Sequence, residues 1–150
     1  DTDRSRGLGD VYKRQDLESR TFGVVVDTSG SMSAKQIGMA LGSIASYAAA
    51  KDVPFVRIIF CDAKATDAGY LAPEDIAGRV KVTGRGGTIL QPGVDCLEQA
   101  NDFPKDGPIL IITDGEIEND LKIRREHAFL LPRGNRLPFR ARGEVFYFRE

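Results

Sequence analysis

From residue 21 onward, short apolar runs alternate with longer segments in which apolar residues recur every three or four positions. The runs at 24–26, 55–60 and 109–112 are nearly continuous, which is typical of strands buried on both faces of a parallel sheet. Helical spacing is clearest from Ile37 to Ala48. It predicts an amphipathic helix of about five turns that ends near residue 51, before Pro54.

The remaining pattern adds shorter elements. It predicts an edge strand near 66–71, a short helix that opens at Pro73, a helix over 91–100, and strands at 128–131 and 145–148. Ser31 and Ser33 are candidate caps for the first helix. We therefore expect an α/β fold, a Rossmann-like, doubly wound, mostly parallel sheet with helices on both faces.

Residues 1–20 show neither the two-residue period of a strand nor the 3.6-residue period of a helix, and half of them are charged. The tract Asp10–Gln15 resembles the translated end of a transposon used in sequencing libraries. We expect 1–20 to be a disordered or artefactual tail and 21–150 to be one domain, in a protein that extends further on the N-terminal side.

Charge is distributed unevenly along the 150 residues, although the net charge is only −1. Residues 21–121 carry 8 basic and 14 acidic side chains, whereas residues 122–150 carry 8 basic and 3 acidic ones. The overall balance excludes a strongly basic nucleic-acid binder. The basic C-terminal part has two interpretations, a surface for an acidic partner or phosphates and an ordinary solvated face.

No apolar run is long enough to cross a bilayer, and no N-terminal signal pattern is present. The two cysteines, Cys61 and Cys96, are too few for a disulfide scaffold and lie in apolar surroundings. We expect both to be reduced, in a cytoplasmic protein without a membrane partner.

Oxygen-bearing side chains follow the predicted strands at the points where sites form in open α/β sheets. Asp27 and Asp114 end two apolar strands, Ser29 and Ser31 follow Asp27, and Thr88 ends a glycine-rich loop. Oxygen ligands with few carboxylates suit a hard cation, Mg²⁺ or Mn²⁺, better than zinc. The sequence therefore predicts a metal site at the carboxyl edge of the sheet.

The segment Asp27-Thr28-Ser29-Gly30-Ser31 resembles the Asp-x-Ser-x-Ser signature of von Willebrand factor A (VWA) domains, and Thr88 and Asp114 match its later threonine and aspartate. This pattern is the metal-ion-dependent adhesion site (MIDAS). The resemblance implies that Ser29, Ser31 and Thr88 ligate the ion directly, and that Asp27 and Asp114 do so directly or through water. A protein partner would supply an Asp or Glu as the last ligand.

A narrower resemblance covers 21–150, carried by the stretches 60–62, 84–88 and 125–132. They are similar to a bacterial VWA-like domain found C-terminal to a domain that resembles zinc metallopeptidases. The resemblance implies a preceding domain and a MoxR-like AAA+ ATPase as a partner.

We expect the function of a metal-dependent protein-binding module rather than that of an enzyme. We do not expect nucleic acid as a partner. The alternatives are a metal-dependent hydrolase and a nucleotide-binding α/β domain that uses the Gly84–Thr88 loop. The only histidine, His127, should lie at the opposite end of the sheet, so neither a Ser-His-Asp triad nor a zinc cluster is expected. Two further interpretations stay open. Glu116, Glu118 and Asp120 either rim the site or are solvated, and Asp62 either supports the ligands or belongs to a turn.

Overall fold

The computed structural model describes residues 21–28, 32–62, 64–76 and 89–149. Six strands form one sheet in this part of the chain. Their bounds are β1 Gly23–Asp27, β2 Val56–Cys61, β3 Ala65–Leu71, β4 Ile109–Ile112, β5 His127–Pro132 and β6 Glu144–Phe148. The helices are α1 Ala34–Ala50, α2 Pro73–Ile76 and α3 Gln91–Gln99.

The strand order in the sheet is β3-β2-β1-β4-β5-β6. All neighbouring strands are parallel except β2 and β3, so the predicted edge strand is the antiparallel one. The chain leaves β1 toward β2 on one side and later returns to place β4 on the other side. The gap between the ends of β1 and β4 is therefore the topological switch point, where α/β sheets form their ligand sites.

Helix α1 covers one face of the sheet and begins with the predicted Ser33 cap. The Ser33 hydroxyl accepts from the backbone N–H of Gln36, and the Gln36 side chain accepts from the N–H of Ser33, each at 3.1 Å. This reciprocal capping box pairs two N–H groups that the helix itself leaves without partners. The buried side of the helix has the predicted spacing, with Ile37, Leu41 and Ile44 in the core.

Helix α3 covers the opposite face and lies very close to the sheet. A Cβ on Gly93 would approach a methyl carbon of Val25 to 2.7 Å and the side chain of Cys61 to 3.4 Å. Glycine at this position therefore allows α3 to pack against β1 and β2 without an intervening side chain.

No helix occurs in the connections over 113–126 and 133–143, both of which the structure describes in full. Instead, apolar side chains from these loops, among them Ile117, Leu121 and Phe139, pack on the same face as α3. The expected α/β sheet with helices on both faces is confirmed, but irregular chain replaces helices over the β4–β6 half of this face. None of the helices in the described ranges is both long and apolar enough to cross a membrane.

Candidate metal centre

Asp27 and Asp114 lie together at the switch point. In the β1–β4 pairing, Val26 lies opposite Ile112, so Asp27, the last residue of β1, and Asp114, two residues beyond the end of β4, lie at the same edge of the sheet. Asp27 is 0% exposed and Asp114 is 5% exposed. The carboxylates of Asp27 and Asp114 are therefore both shielded from water, at the ends of adjacent strands.

Thr113 connects these two strand ends. Its hydroxyl donates a hydrogen bond to Oδ2 of Asp27 at 2.8 Å, and its oxygen accepts from the N–H of Gly115 at 3.1 Å. One carboxylate oxygen of Asp114 accepts from the N–H of Glu116 at 3.0 Å. Hydrogen bonds therefore fix the orientations of both carboxyl groups.

The other predicted ligands, Ser29, Ser31 and Thr88, lie outside the described residues. Their chain neighbours are described. Thr28 donates its N–H to the carbonyl of Cys61 at 2.9 Å, which ties the end of β1 to the end of β2. Met32 is completely buried in the core.

Ile89, which follows Thr88 in the sequence, is held at the same edge. Its N–H donates to the carbonyl of Asp62 at 3.0 Å, and the Cys61 thiol donates to its carbonyl at 3.2 Å. Cys61 is itself the register partner of Asp27. The chain that leads out of the glycine-rich loop is therefore attached beside Asp27.

Glu118 fixes the start of α3 from the loop that follows Asp114. Its carboxylate accepts from the N–H groups of Leu90, at 2.8 and 3.0 Å, and of Gln91, at 3.0 Å. Leu90 offers no side-chain cap of its own, so Glu118 satisfies helix N–H groups that would otherwise lack acceptors. Its negative charge also suits the positive end of the helix dipole.

Of the three acidic residues after Asp114, Glu118 therefore has a positioning role, while Glu116 and Asp120 are exposed. Asp62 accepts from the N–H of Lys64 at 2.9 Å, which is the geometry of a turn residue. This hydrogen bond supports the interpretation of Asp62 as a turn residue.

The pKa of the Cys61 thiol reflects the burial and the negative charge at this edge. The pKa of this thiol is raised to about 11, mainly by burial; a hydrogen bond with the backbone of Gly93 lowers it, and the negative charges of Asp62, Glu118 and Asp27 add to the rise. A thiol with this pKa stays protonated at neutral pH. It acts here as a buried hydrogen-bond donor, and both cysteines are free, as expected.

His127 begins β5 and pairs with Ile109 at the start of β4. It therefore lies at the amino edge of the sheet, opposite Asp114, as the sequence predicted. Its Nδ1 is 2.8 Å from the carbonyl of Arg125, which can only accept, so this nitrogen carries the proton.

The described residues contain no group of three or more His, Cys, Asp or Glu side chains placed to hold a metal ion. The predicted ligand set contains only two such residues, since its other members are hydroxyls. The two carboxylates fit a hard divalent cation for a physical reason. Adjacent buried carboxylates repel each other and lose hydration, and a cation that accepts oxygen ligands offsets both costs.

Two residues that matter to this geometry are not predicted by the strand-end argument. Thr113 lies in an apolar strand sequence, where a threonine is an ordinary strand residue, and nothing local indicates its contact with Asp27. Glu118 reaches a helix start 28 residues earlier in the chain. The only sequence signal for it is the absence of a capping side chain at Leu90.

The chain matches the family model described as VWA-like domain (DUF2201) over residues 22–125, well over half of its 150 residues. No curated protein shows significant similarity to it. The match begins just before β1 and ends before β5, and it therefore includes both strand ends that carry Asp27 and Asp114. The fold, the position of the two aspartates and the family match agree, and the chain belongs to the family of VWA-like domains.

Proposed function

We propose that this domain is a metal-ion-dependent protein-binding module. Mg²⁺, or Mn²⁺, would be held by the five oxygen-bearing residues Asp27, Ser29, Ser31, Thr88 and Asp114. An Asp or Glu of a protein partner would complete the coordination. The observation that carries the proposal is the burial of Asp27 and Asp114 at the switch point, with the Thr113 hydroxyl fixed on Asp27.

The contacts of Thr28 and Ile89 support the inclusion of the three hydroxyl residues. Both are attached to the end of β2, next to Asp27. Consecutive Cα atoms are about 3.8 Å apart, so Ser29 and Thr88 begin one residue from these anchored positions. The hydroxyl ligands would add no negative charge to that of the two aspartates, so the ion would keep more of its attraction for a carboxylate from outside than in an all-carboxylate site.

The proposal extends to the partner of the domain, the protein that contains it and its location in the cell. The family resemblance suggests a MoxR-like AAA+ ATPase as a partner and a larger protein with a metallopeptidase-like domain. The free thiols of Cys61 and Cys96 support a cytoplasmic location, since reducing compartments preserve thiols.

The direct test is calorimetric titration of the full chain with Mg²⁺ and with Mn²⁺. Asp27→Asn and Thr88→Ala should weaken metal binding by more than about 100-fold, because even residues that only support metal ligands contribute 10–100-fold. Asp120→Asn is the matched control, since Asp120 is an exposed carboxylate on the loop that follows Asp114. Its metal affinity should equal that of the wild type.

Two outcomes would contradict the proposal. One is absence of metal binding by the folded wild-type chain, and the other is unchanged affinity in Asp27→Asn. Metal-dependent hydrolysis of a simple phosphoester that is lost in Asp27→Asn would favour a hydrolase instead. Tight nucleotide binding without a metal would favour the nucleotide-binding alternative.

A further inference from the structure

A groove lined by arginines lies beside the candidate metal centre. Its volume is about 440 Å³, and its lining residues are Arg133, Gly134, Asn135, Arg136, Tyr147 and Arg149. The groove is at the carboxyl edge of the sheet, because β5 ends at Pro132 and β6 ends at Phe148. It therefore opens on the same edge as Asp27 and Asp114.

The groove is in direct contact with the loop that carries Asp114. The side-chain amide of Asn135 donates to the carbonyl oxygen of Asp114 at 2.8 Å. Gly115, at φ +92°, lies so close to the carbonyl of Arg136 that a Cβ would come within 1.9 Å of that oxygen. The groove is thus attached directly to the loop that carries Asp114.

The turn that carries two of the arginines is held in place by its backbone. The N–H of Arg133 donates to the carbonyl of Phe148 at 2.9 Å, and the N–H of Asn135 donates to the carbonyl of Pro132 at 3.1 Å. Gly134 between them adopts φ +94°, which favours glycine. A fixed turn presents its side chains to a ligand with little ordering of the backbone.

The cationic side chains of the groove are available to a ligand. Arg133, Arg136 and Arg149 are exposed, and none of them forms an ion pair within the described part of the chain. Guanidinium groups pair with carboxylates through two parallel hydrogen bonds, which gives direction as well as attraction. A cluster of three such groups favours a ligand with several negative charges.

The surroundings of the groove favour a peptide over a nucleic acid. Glu116 is exposed directly after Gly115, which lies against Arg136, so a carboxylate borders the positive surface. A regular phosphate backbone would carry its charges past this carboxylate, whereas a peptide can alternate acidic and neutral side chains. The groove supplies one exposed aromatic, Tyr147, and no row of aromatics on which bases would stack.

We propose that this arginine groove binds an acidic segment of the protein partner. Its Asp and Glu side chains would pair with Arg133, Arg136 and Arg149, next to the carboxylate delivered to the metal. The groove would then select partners in which the metal-binding acid is flanked by further acids. Only the delivery of that carboxylate rests on the proposed function, because the arginine contacts themselves need no metal.

The test is fluorescence anisotropy with the full chain and a labelled synthetic peptide rich in Glu and Asp, in Mg²⁺ and in EDTA. Reversing three charges with R133E/R136E/R149E should weaken peptide binding by at least about tenfold, because the reversal replaces three attractions with repulsions. The matched control is K122E/R140E/R142E, which makes the same charge change in the separate basic groove that includes His127. Its affinity should stay within about twofold of the wild type.

The outcomes distinguish the contribution of the arginine groove to peptide binding from that of the metal ion. Binding that persists in EDTA and is lost in R133E/R136E/R149E supports the groove while it counts against metal dependence. Equal loss in the two triple variants shows a general charge effect and overturns the groove. Displacement of the peptide by an RNA oligonucleotide at lower concentration also overturns it, in favour of phosphates. Arg→Gln substitutions at 133, 136 and 149, checked by thermal unfolding, give a milder variant that should still lose affinity.

Discussion

At the scale of single residues, Thr113 is the clearest example of a side chain that serves two neighbours. Its hydroxyl donates to Asp27 and accepts from Gly115, so it links the end of β1 with the loop after β4. A threonine at a strand end has ordinary strand propensity, and its hydroxyl becomes important only because β1 and β4 are adjacent. We infer that it orients Asp27 for metal binding rather than ligating the ion itself.

This role gives a prediction with a conservative control. Thr113→Val keeps the shape of the side chain and removes the hydrogen bond, so metal affinity should fall about 10–100-fold, as for other residues that orient ligands. Thr113→Ser keeps the hydroxyl and should recover most of the affinity. Calorimetric titration with Mn²⁺ measures both. Equal affinities of folded Thr113→Val and wild type would show that the contact has no role in the site.

At the scale of elements, α3 depends on residues far away in the chain. Gly93 lets it approach the sheet closely, and Glu118 supplies the acceptors for its first N–H groups. The helix has only nine residues, one of which is Gly93, so its own propensity is low. Its position at the carboxyl edge is therefore a result of packing and of the Glu118 cap.

We expect Glu118→Gln to lower the free energy of unfolding by about 1–2 kcal/mol, because the substitution removes the charge from a helix cap that makes several hydrogen bonds. Urea denaturation followed by circular dichroism measures the effect. Glu116→Gln is the matched control in the same loop, since Glu116 is exposed, and its effect should be below about 0.5 kcal/mol. Equal effects of the two substitutions would contradict the capping role of Glu118.

At the scale of the whole molecule, one ion-pair network fastens the antiparallel edge strand and the α3–β4 connection to the sheet. The Arg57 guanidinium, which is buried, donates to Asp67 on β3 at 2.9 Å and pairs with Asp102 at 2.7 Å. Its guanidinium carbon also lies 5.0 Å from the centre of the Tyr70 ring. The hydrogen bond from Arg57 is the main reason that the pKa of Asp67 is lowered.

A lowered carboxyl pKa stabilises the folded state above the ordinary value of 3.8, and this stabilisation is lost as the pH falls through the folded value. Asp67→Asn should therefore be less stable than the wild type by about 1–3 kcal/mol at neutral pH. The difference should shrink below about pH 4. Thermal unfolding across this pH range measures it. A difference that stays constant into strong acid would show that the charge of Asp67 contributes nothing.

The elements themselves were predictable because their signals are local. The spacing of Ile37, Leu41 and Ile44 predicted α1 to within about a residue at its end, and the apolar runs predicted β1 and β4. The strand-end rule placed Asp27 and Asp114 at one edge of the sheet because parallel strands end at a common edge, and both are buried there. Ser29, Ser31 and Thr88 lie outside the described residues and stay predictions. The roles of Glu118 and of the Arg133–Arg136 turn were missed.

The amino-acid order by itself thus determined the α/β class, the strand ends that carry the two aspartates, and the family signature. Which strands lie side by side was decided by the tertiary structure, and with it the contact of Thr113 with Asp27 and of Asn135 with the Asp114 carbonyl. The physical reason is that periodicity records whether one residue is buried, whereas a contact between distant segments depends on the packing of both. The arginine groove beside the candidate metal centre exists only because β5 and β6 end at the same edge as β1 and β4.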